Sequence, residues 1–159
     1  MIHALVCDDE PAVRFAIEEV LVSRGLAVTA VADAAAALAA LDGVDVVVTD
    51  LAMPGMDGLA LLAAVRAQAP GLPVVVVTAR GSERAAVTAM KAGADDYLTK
   101  PFGTGELLAR MRVALRHAAS AAGGPAPDAV FTVGPLHLDL GRHAVTVAGA
   151  PVHLTPIEF

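Results

Sequence analysis

The 159-residue chain has one cysteine, Cys7, so no internal disulfide can form, and this fits a reducing compartment. It also lacks any uninterrupted apolar run near the roughly 20 residues that a membrane span needs, although apolar residues make up 56% of it. No basic segment with an apolar core follows Met1, as a signal peptide would require. Together these absences point to a cytoplasmic protein with no membrane partner. A net charge of −6 argues against the chain as it stands being a strong nucleic-acid binder. His3, His117, His137, His143 and His153 are scattered without metal-binding spacing and read as structural or surface residues. No Gly-x-Gly-x-x-Gly follows the first strand signal, which disfavours dinucleotide binding.

What the chain does have, over residues 1–118, is five alternations of strand and helix signals. That pattern calls for a parallel sheet covered on both faces. Apolar runs precede Asp8, Asp50 and Lys100, with further strands at Val28 and Ala30 and at Val74 to Val77. Between them, helices are marked by Pro11 at a first turn with Val13, Ile17 and Leu21, and by Asp33 as a cap before Leu38 and Leu41. Leu59, Leu62 and Ala63 define a third helix, Ser82 caps a fourth, and Leu107, Leu108, Met111 and Leu115 line a fifth. The fold class is therefore α/β, a (βα)5 unit. Residues 119–129 have linker composition. Residues 130–159 then switch to period two at Leu136, Leu138 and Leu140, Val145 and Val147, and Val152 and Leu154, which predicts short antiparallel strands. Thr155, Pro156 and Glu158 fit a capping box that announces a helix, so this β segment is expected to be part of a larger domain.

Asp8, Asp9, Asp50 and Lys100 all follow strand signals and should meet at the carboxyl edge of one sheet, where open α/β folds bind ligands. Three converging carboxylates repel one another, and an oxygen-binding divalent metal such as Mg2+ is the natural counterweight. Taken singly, each aspartate reads more readily as a turn or cap residue than as a ligand, Lys100 as a solvated strand-end charge and Thr78 as a buried strand residue. Only their joint placement favours a site.

Four motifs stand in order: Cys7-Asp8-Asp9-Glu10, Asp50-Leu51-Ala52-Met53-Pro54-Gly55-Met56-Asp57-Gly58, Val77-Thr78-Ala79-Arg80, and Gly93 through Phe102 with Lys100-Pro101. Residues 1–118 thereby resemble the receiver domain of bacterial two-component response regulators, a flavodoxin-like fold with sheet order 2-1-3-4-5. The resemblance implies that Asp50 is phosphorylated by a histidine kinase in a Mg2+-dependent step. Asp9, Asp50 and the Ala52 carbonyl would bind Mg2+, with Asp8 acting mainly through a water. Lys100 and Thr78 would contact phosphoryl oxygens, and the peptide before Pro101 would be cis. Thr78 and Tyr97 would form the switch, while Ala52 and Arg80 stand where the family tunes hydrolysis. A two-fold dimer would use Asp96 with Arg110, and Asp95, Glu106 and Arg112 would share that charged surface. Ala86 departs from the basic residue usual there, with Arg84 or Lys91 as substitutes.

Residues 130–159 resemble the opening strands and first helix start of the winged-helix effector in OmpR/PhoB-type regulators, closest to Kdp-type regulators of potassium uptake. The effector is then expected to be truncated, with promoter DNA a partner only of the full-length protein. No enzymatic activity beyond self-phosphorylation and self-dephosphorylation is implied. Two alternatives stand beside this: a receiver that signals through protein contacts alone, and a phosphohydrolase with an aspartyl-phosphate intermediate.

Overall fold

The computed structural model describes residues 1–79, 83–121, 130–139 and 144–152. Arg80, Ser82, most of the expected linker, His143, His153 and the Thr155 to Glu158 capping box lie outside the described residues. The chain divides into two compact units, Met1–Ala118 and Ala119–Phe159.

The first unit alternates strand and helix five times: β1 (His3–Cys7), α1 (Pro11–Ser23), β2 (Ala27–Val31), α2 (Ala34–Ala39), β3 (Val46–Asp50), α3 (Gly58–Gln68), β4 (Val74–Thr78), α4 (Glu83–Lys91), β5 (Asp96–Thr99) and α5 (Thr104–Ala121). All pairings are parallel, in the order β2-β1-β3-β4-β5. This is the expected flavodoxin-like sheet.

The strands are near-continuous Val, Leu and Ala because both faces are covered. Leu5, Cys7, Val47, Val74 and Val76 pack with Ala34, Ala37, Leu61, Leu62, Val65 and Ala89 of α2, α3 and α4. Their neighbours Ala4, Val6, Val46, Val48, Val75, Val77 and Leu98 pack with Ile17, Leu21, Leu107, Leu108, Met111 and Ala114 of α1 and α5. Successive residues thus serve opposite layers, as a two-residue strand period dictates. Pro11 opens α1, and Asp33 and Asp57 cap α2 and α3 by accepting the Ala36 and Ala60 amides, each at 2.8 Å.

Two expectations are corrected. Ala63 is exposed, and the buried face of α3 runs Gly58, Leu61, Leu62 and Val65, the phase set by a helix that starts at Gly58. The fifth helix continues to Ala121, three residues into the expected linker, because Ala119, Ser120 and Ala121 contain no helix breaker. Among the described residues, no helix is long and apolar enough to cross a membrane.

The second unit contains an antiparallel sheet of β6 (Val130–Val133), β7 (Leu136–Asp139), β8 (Ala144–Val147) and β9 (Ala150–Val152), paired in chain order. Strand β6 escapes a period-two search because Val130, Phe131, Thr132 and Val133 are all β-prone and do not alternate. Between β8 and β9, Ala148 and Gly149 both take positive φ, 51° and 83°, as a tight hairpin of matching twist needs. For Ala148 that conformation is strained by its own Cβ. Ala148→Asn is therefore expected to stabilise this unit by about 0.5–1 kcal/mol. Urea unfolding of the two chains checks this, and an unchanged midpoint would speak against the turn.

Candidate functional site

The main-chain ladder continues past the strand ends at the carboxyl edge. The Asp8 amide donates to the Val31 carbonyl (3.2 Å), the Leu51 amide to Val77 (3.1 Å) and the Lys100 amide to Thr78 (2.8 Å). Asp8, Asp50 and Lys100 consequently leave the sheet side by side.

Lys100 is held among carboxylates. Its Nζ lies 3.1 Å from Asp8 Oδ2, 3.2 Å from Asp50 Oδ2 and 3.5 Å from Glu10 Oε1. The second oxygen of Asp8 accepts the Glu10 amide at 2.9 Å, and that of Asp50 accepts the Ala52 amide at 3.1 Å. Asp8 and Asp50 are almost fully buried. Asp9 is different: among the described residues its carboxylate has neither a hydrogen-bond nor an ion-pair partner. Yet Asp8, Asp9 and Asp50 each offer an oxygen within 4.8 Å of the others. One ammonium cannot balance three carboxylates, and three hard oxygen donors suit Mg2+. The donor set therefore fits the ion that the sequence predicts.

Burial raises the Asp50 carboxyl above its usual range, while the Ala52 amide and Lys100 pull the other way. Burial pulls the Lys100 ammonium down, but its hydrogen bond to Asp8 and the charge of Asp50 outweigh that and hold it above its ordinary value. Beneath the edge, burial pushes the Cys7 thiol up to about 11. Its Sγ rests 3.5 Å from Met53 Sδ, so it packs as a small hydrophobe, as its strand position suggests.

Thr78 is buried, and its hydroxyl donates to the Leu98 carbonyl at 3.3 Å. Tyr97 is 41% exposed on β5. The peptide between Lys100 and Pro101 is cis. Ala52 is exposed, and its amide donates to the Asp50 carboxylate.

On the other surface, the sequence groups Asp95 with Asp96, Glu106 and Arg110, and the structure separates it from them. Asp96 accepts from Arg110 of α5 at 3.1 Å, and Glu106 lies 4.0 Å from the same guanidinium. Asp95 instead binds Arg66 of α3 at 2.8 Å and the Val74 amide at 2.7 Å. Adjacent residues leading into a strand point to opposite layers, and α3 and α5 lie on opposite faces of this sheet. Ala86 is buried, whereas Arg84 and Lys91 are exposed on α4.

Two residues of the site are not singled out by the sequence. The Arg14 guanidinium donates to the Asp8 main-chain carbonyl at 2.7 Å. Its spacing four residues after Glu10 suggests only a surface ion pair. Gly58 packs directly under Asp50: a Cβ there would fall onto the Asp50 carbonyl oxygen and 2.6 Å from Leu51 Cα. The available signal was a glycine at a first helical position, where nothing local calls for one.

Comparison with known proteins matches residues 4–112 to the response regulator receiver domain family. Sensory transduction protein RegX3 of Mycolicibacterium smegmatis is 39% identical over all of this chain and 70% of its own length. The KDP operon transcriptional regulatory protein KdpE of Escherichia coli is also 39% identical, over all of this chain and 70% of KdpE. A response regulator receiver domain protein from Clostridium thermocellum superposes with a TM-score of 0.71 at 28% identity, over 75% of this chain and 98% of that structure. The receiver domain of NtrX from Brucella abortus gives 0.69 at 36% identity, over 70% and 97%.

Proposed function

The chain belongs to the response regulator receiver family, homologous to phosphorylation-activated regulators of two-component systems, and from that premise we propose that Asp50 accepts a phosphoryl group from a sensor histidine kinase. The observation that carries this is Lys100 Nζ, 3.2 Å from Asp50 and 3.1 Å from Asp8, beside an Asp9 with no partner among the described residues. In the transfer, an Asp50 oxygen forms a bond to phosphorus as the bond from phosphorus to the donor nitrogen breaks. The electron pair leaves with the donor imidazole. Burial makes the Asp50 carboxylate more basic and so a better nucleophile. Lys100 keeps its ammonium on the incoming phosphoryl oxygen, and the Thr78 hydroxyl turns from the Leu98 carbonyl to another. Asp9, Asp50 and the Ala52 carbonyl would hold Mg2+, with Asp8 acting through a water. When bound, the ion offsets charge on the transferring phosphoryl oxygens. Tyr97 then turns into the space Thr78 vacates. The chemistry is confined to self-phosphorylation and self-dephosphorylation. Intact-mass measurement after treatment with a small acyl phosphate and Mg2+ tests the assignment. One phosphoryl group per chain is expected, lost in excess chelator, and uptake indifferent to Mg2+ would overturn it.

Phosphorylation is proposed to favour a two-fold dimer through Asp96, Arg110 and Glu106. The internal Asp96 to Arg110 pair would be exchanged for the same pair between copies, a change of little cost because exposed pairs contribute only about 0–1 kcal/mol. Sedimentation with a beryllofluoride mimic should show dimers for the wild type and monomers for Arg110→Glu. Equal sedimentation would place the interface elsewhere.

For output, the antiparallel sheet is read as the opening of an OmpR/PhoB-type winged-helix effector, nearest to the Kdp type, acting in the cytoplasm on genes of potassium transport. The identity to KdpE supports this. Mobility shift of such promoter DNA with a protein carrying the complete effector tests it. Equal binding with and without phosphorylation would sink the idea.

A further inference from the structure

We infer that Arg14 is a positioning residue for the cation site, acting through the peptide that joins Asp8 to Asp9. The inference rests on the reading of that site as a Mg2+ site. Every polar group of Asp8 is engaged: the amide with the Val31 carbonyl, one carboxylate oxygen with the Glu10 amide, the other with Lys100, and the carbonyl with Arg14 Nη1 at 2.7 Å. The Val31 and Lys100 contacts fix Asp8 itself, and the Glu10 amide closes a turn across Asp9. Within that turn, Arg14 is the group that holds the carbonyl of the peptide leading into Asp9. Asp9 needs this more than its neighbours do. Asp8 and Asp50 are each tied to Lys100, whereas the Asp9 carboxylate has no partner among the described residues. With no side-chain partner for Asp9 among the described residues, the main chain sets its aim, and Arg14 holds the carbonyl of the peptide that leads into it. A guanidinium suits the task because its donors lie in a rigid plane and its charge persists at every working pH.

Side chains that orient metal ligands typically change metal affinity by about 10–100-fold when removed. Arg14→Met keeps the apolar stem without a donor, and Arg14→Lys keeps the stem with a donor and a charge. Titration of the 159-residue chain with Mg2+ alone, followed by calorimetry, should show affinity falling about tenfold in Arg14→Met and largely restored in Arg14→Lys. The melting temperature of all three chains in chelator should stay alike, since Arg14 is only half-buried on α1. If wild type and Arg14→Met bind Mg2+ equally, the inference fails while the site stands. An equal loss in Arg14→Met and Arg14→Lys would also overturn it, because packing of the stem, not the donor, would then be what matters. If the wild type itself binds no Mg2+, the reading of the site fails, and the inference with it.

Discussion

Asp50→Asn is expected to take up no phosphoryl group from any donor and to melt at a higher temperature than the wild type. The first effect follows from chemistry: an amide oxygen carries no charge and forms no stable acyl phosphate. The second follows from electrostatics. Burial places the Asp50 carboxylate beside Asp8 and Asp9, and its folded-state pKa lies above the ordinary value. A raised carboxyl pKa means that the folded state holds its proton more tightly than the unfolded one. Stability from this group is fully present below its unfolded pKa and lost as pH rises through the raised folded one, so the ionised form is a burden at neutrality. Asparagine removes that charge and can still accept the Ala52 amide. Intact-mass labelling and thermal melts in chelator check both halves. Labelling equal to the wild type would move the acceptor elsewhere, and a lowered melting temperature would mean that the pairing with Lys100 outweighs the repulsion.

Gly58→Ala should damage fold and site together. The added methyl would overlap the Asp50 carbonyl oxygen and the Leu51 Cα, both of them backbone, with no flexible side chain able to give way. Either α3 retreats from the sheet edge, losing the bond from the Gly58 amide to the Leu51 carbonyl, or the acceptor loop moves. Overpacking of this kind costs about 3 kcal/mol, or on the order of 10 °C in melting temperature for a domain of this size. A displacement of about 1 Å at Asp50 would slow phosphoryl uptake roughly 100-fold. Gly71 has nothing within 4 Å and needs no positive φ, so Gly71→Ala is the control. If both variants melt and label alike, the close approach beneath Asp50 is not rigid.

The sheet was legible because its signal is local. Val46 to Thr49 and Val74 to Val77 can be little other than buried strands, and each ends at a polar residue whose edge the parallel rule supplies. The same logic brings Asp8, Asp50 and Lys100 together from the sequence alone. What stayed hidden depends on direction and close approach. Arg14 reaches back to a main-chain carbonyl, and such acceptors leave no mark on composition. Gly58 matters for atoms seven and eight residues away across a loop, and a glycine that avoids contact looks like any loop glycine. The family resemblance groups Asp95 with the charged surface of Asp96, whereas the two-residue alternation of the backbone sends them to different layers. In α3, the apolar run Leu59, Ala60, Leu61, Leu62 and Ala63 fits more than one helical phase, and only the start at Gly58 selects the buried one.

The Lys100 contact joins positions 92 residues apart to Asp8 and 50 apart to Asp50. No local segment of the chain can hold such an arrangement, so it exists only after the first, third and fifth strands have all found their places, among the slowest contacts a chain of this kind makes. A nascent or partly unfolded copy therefore has no acceptor to offer and cannot carry a false signal. Conversely, any ion bound there pulls the population toward the finished fold, by an amount that grows with its concentration. The site thus certifies the completed domain before it can report on anything else.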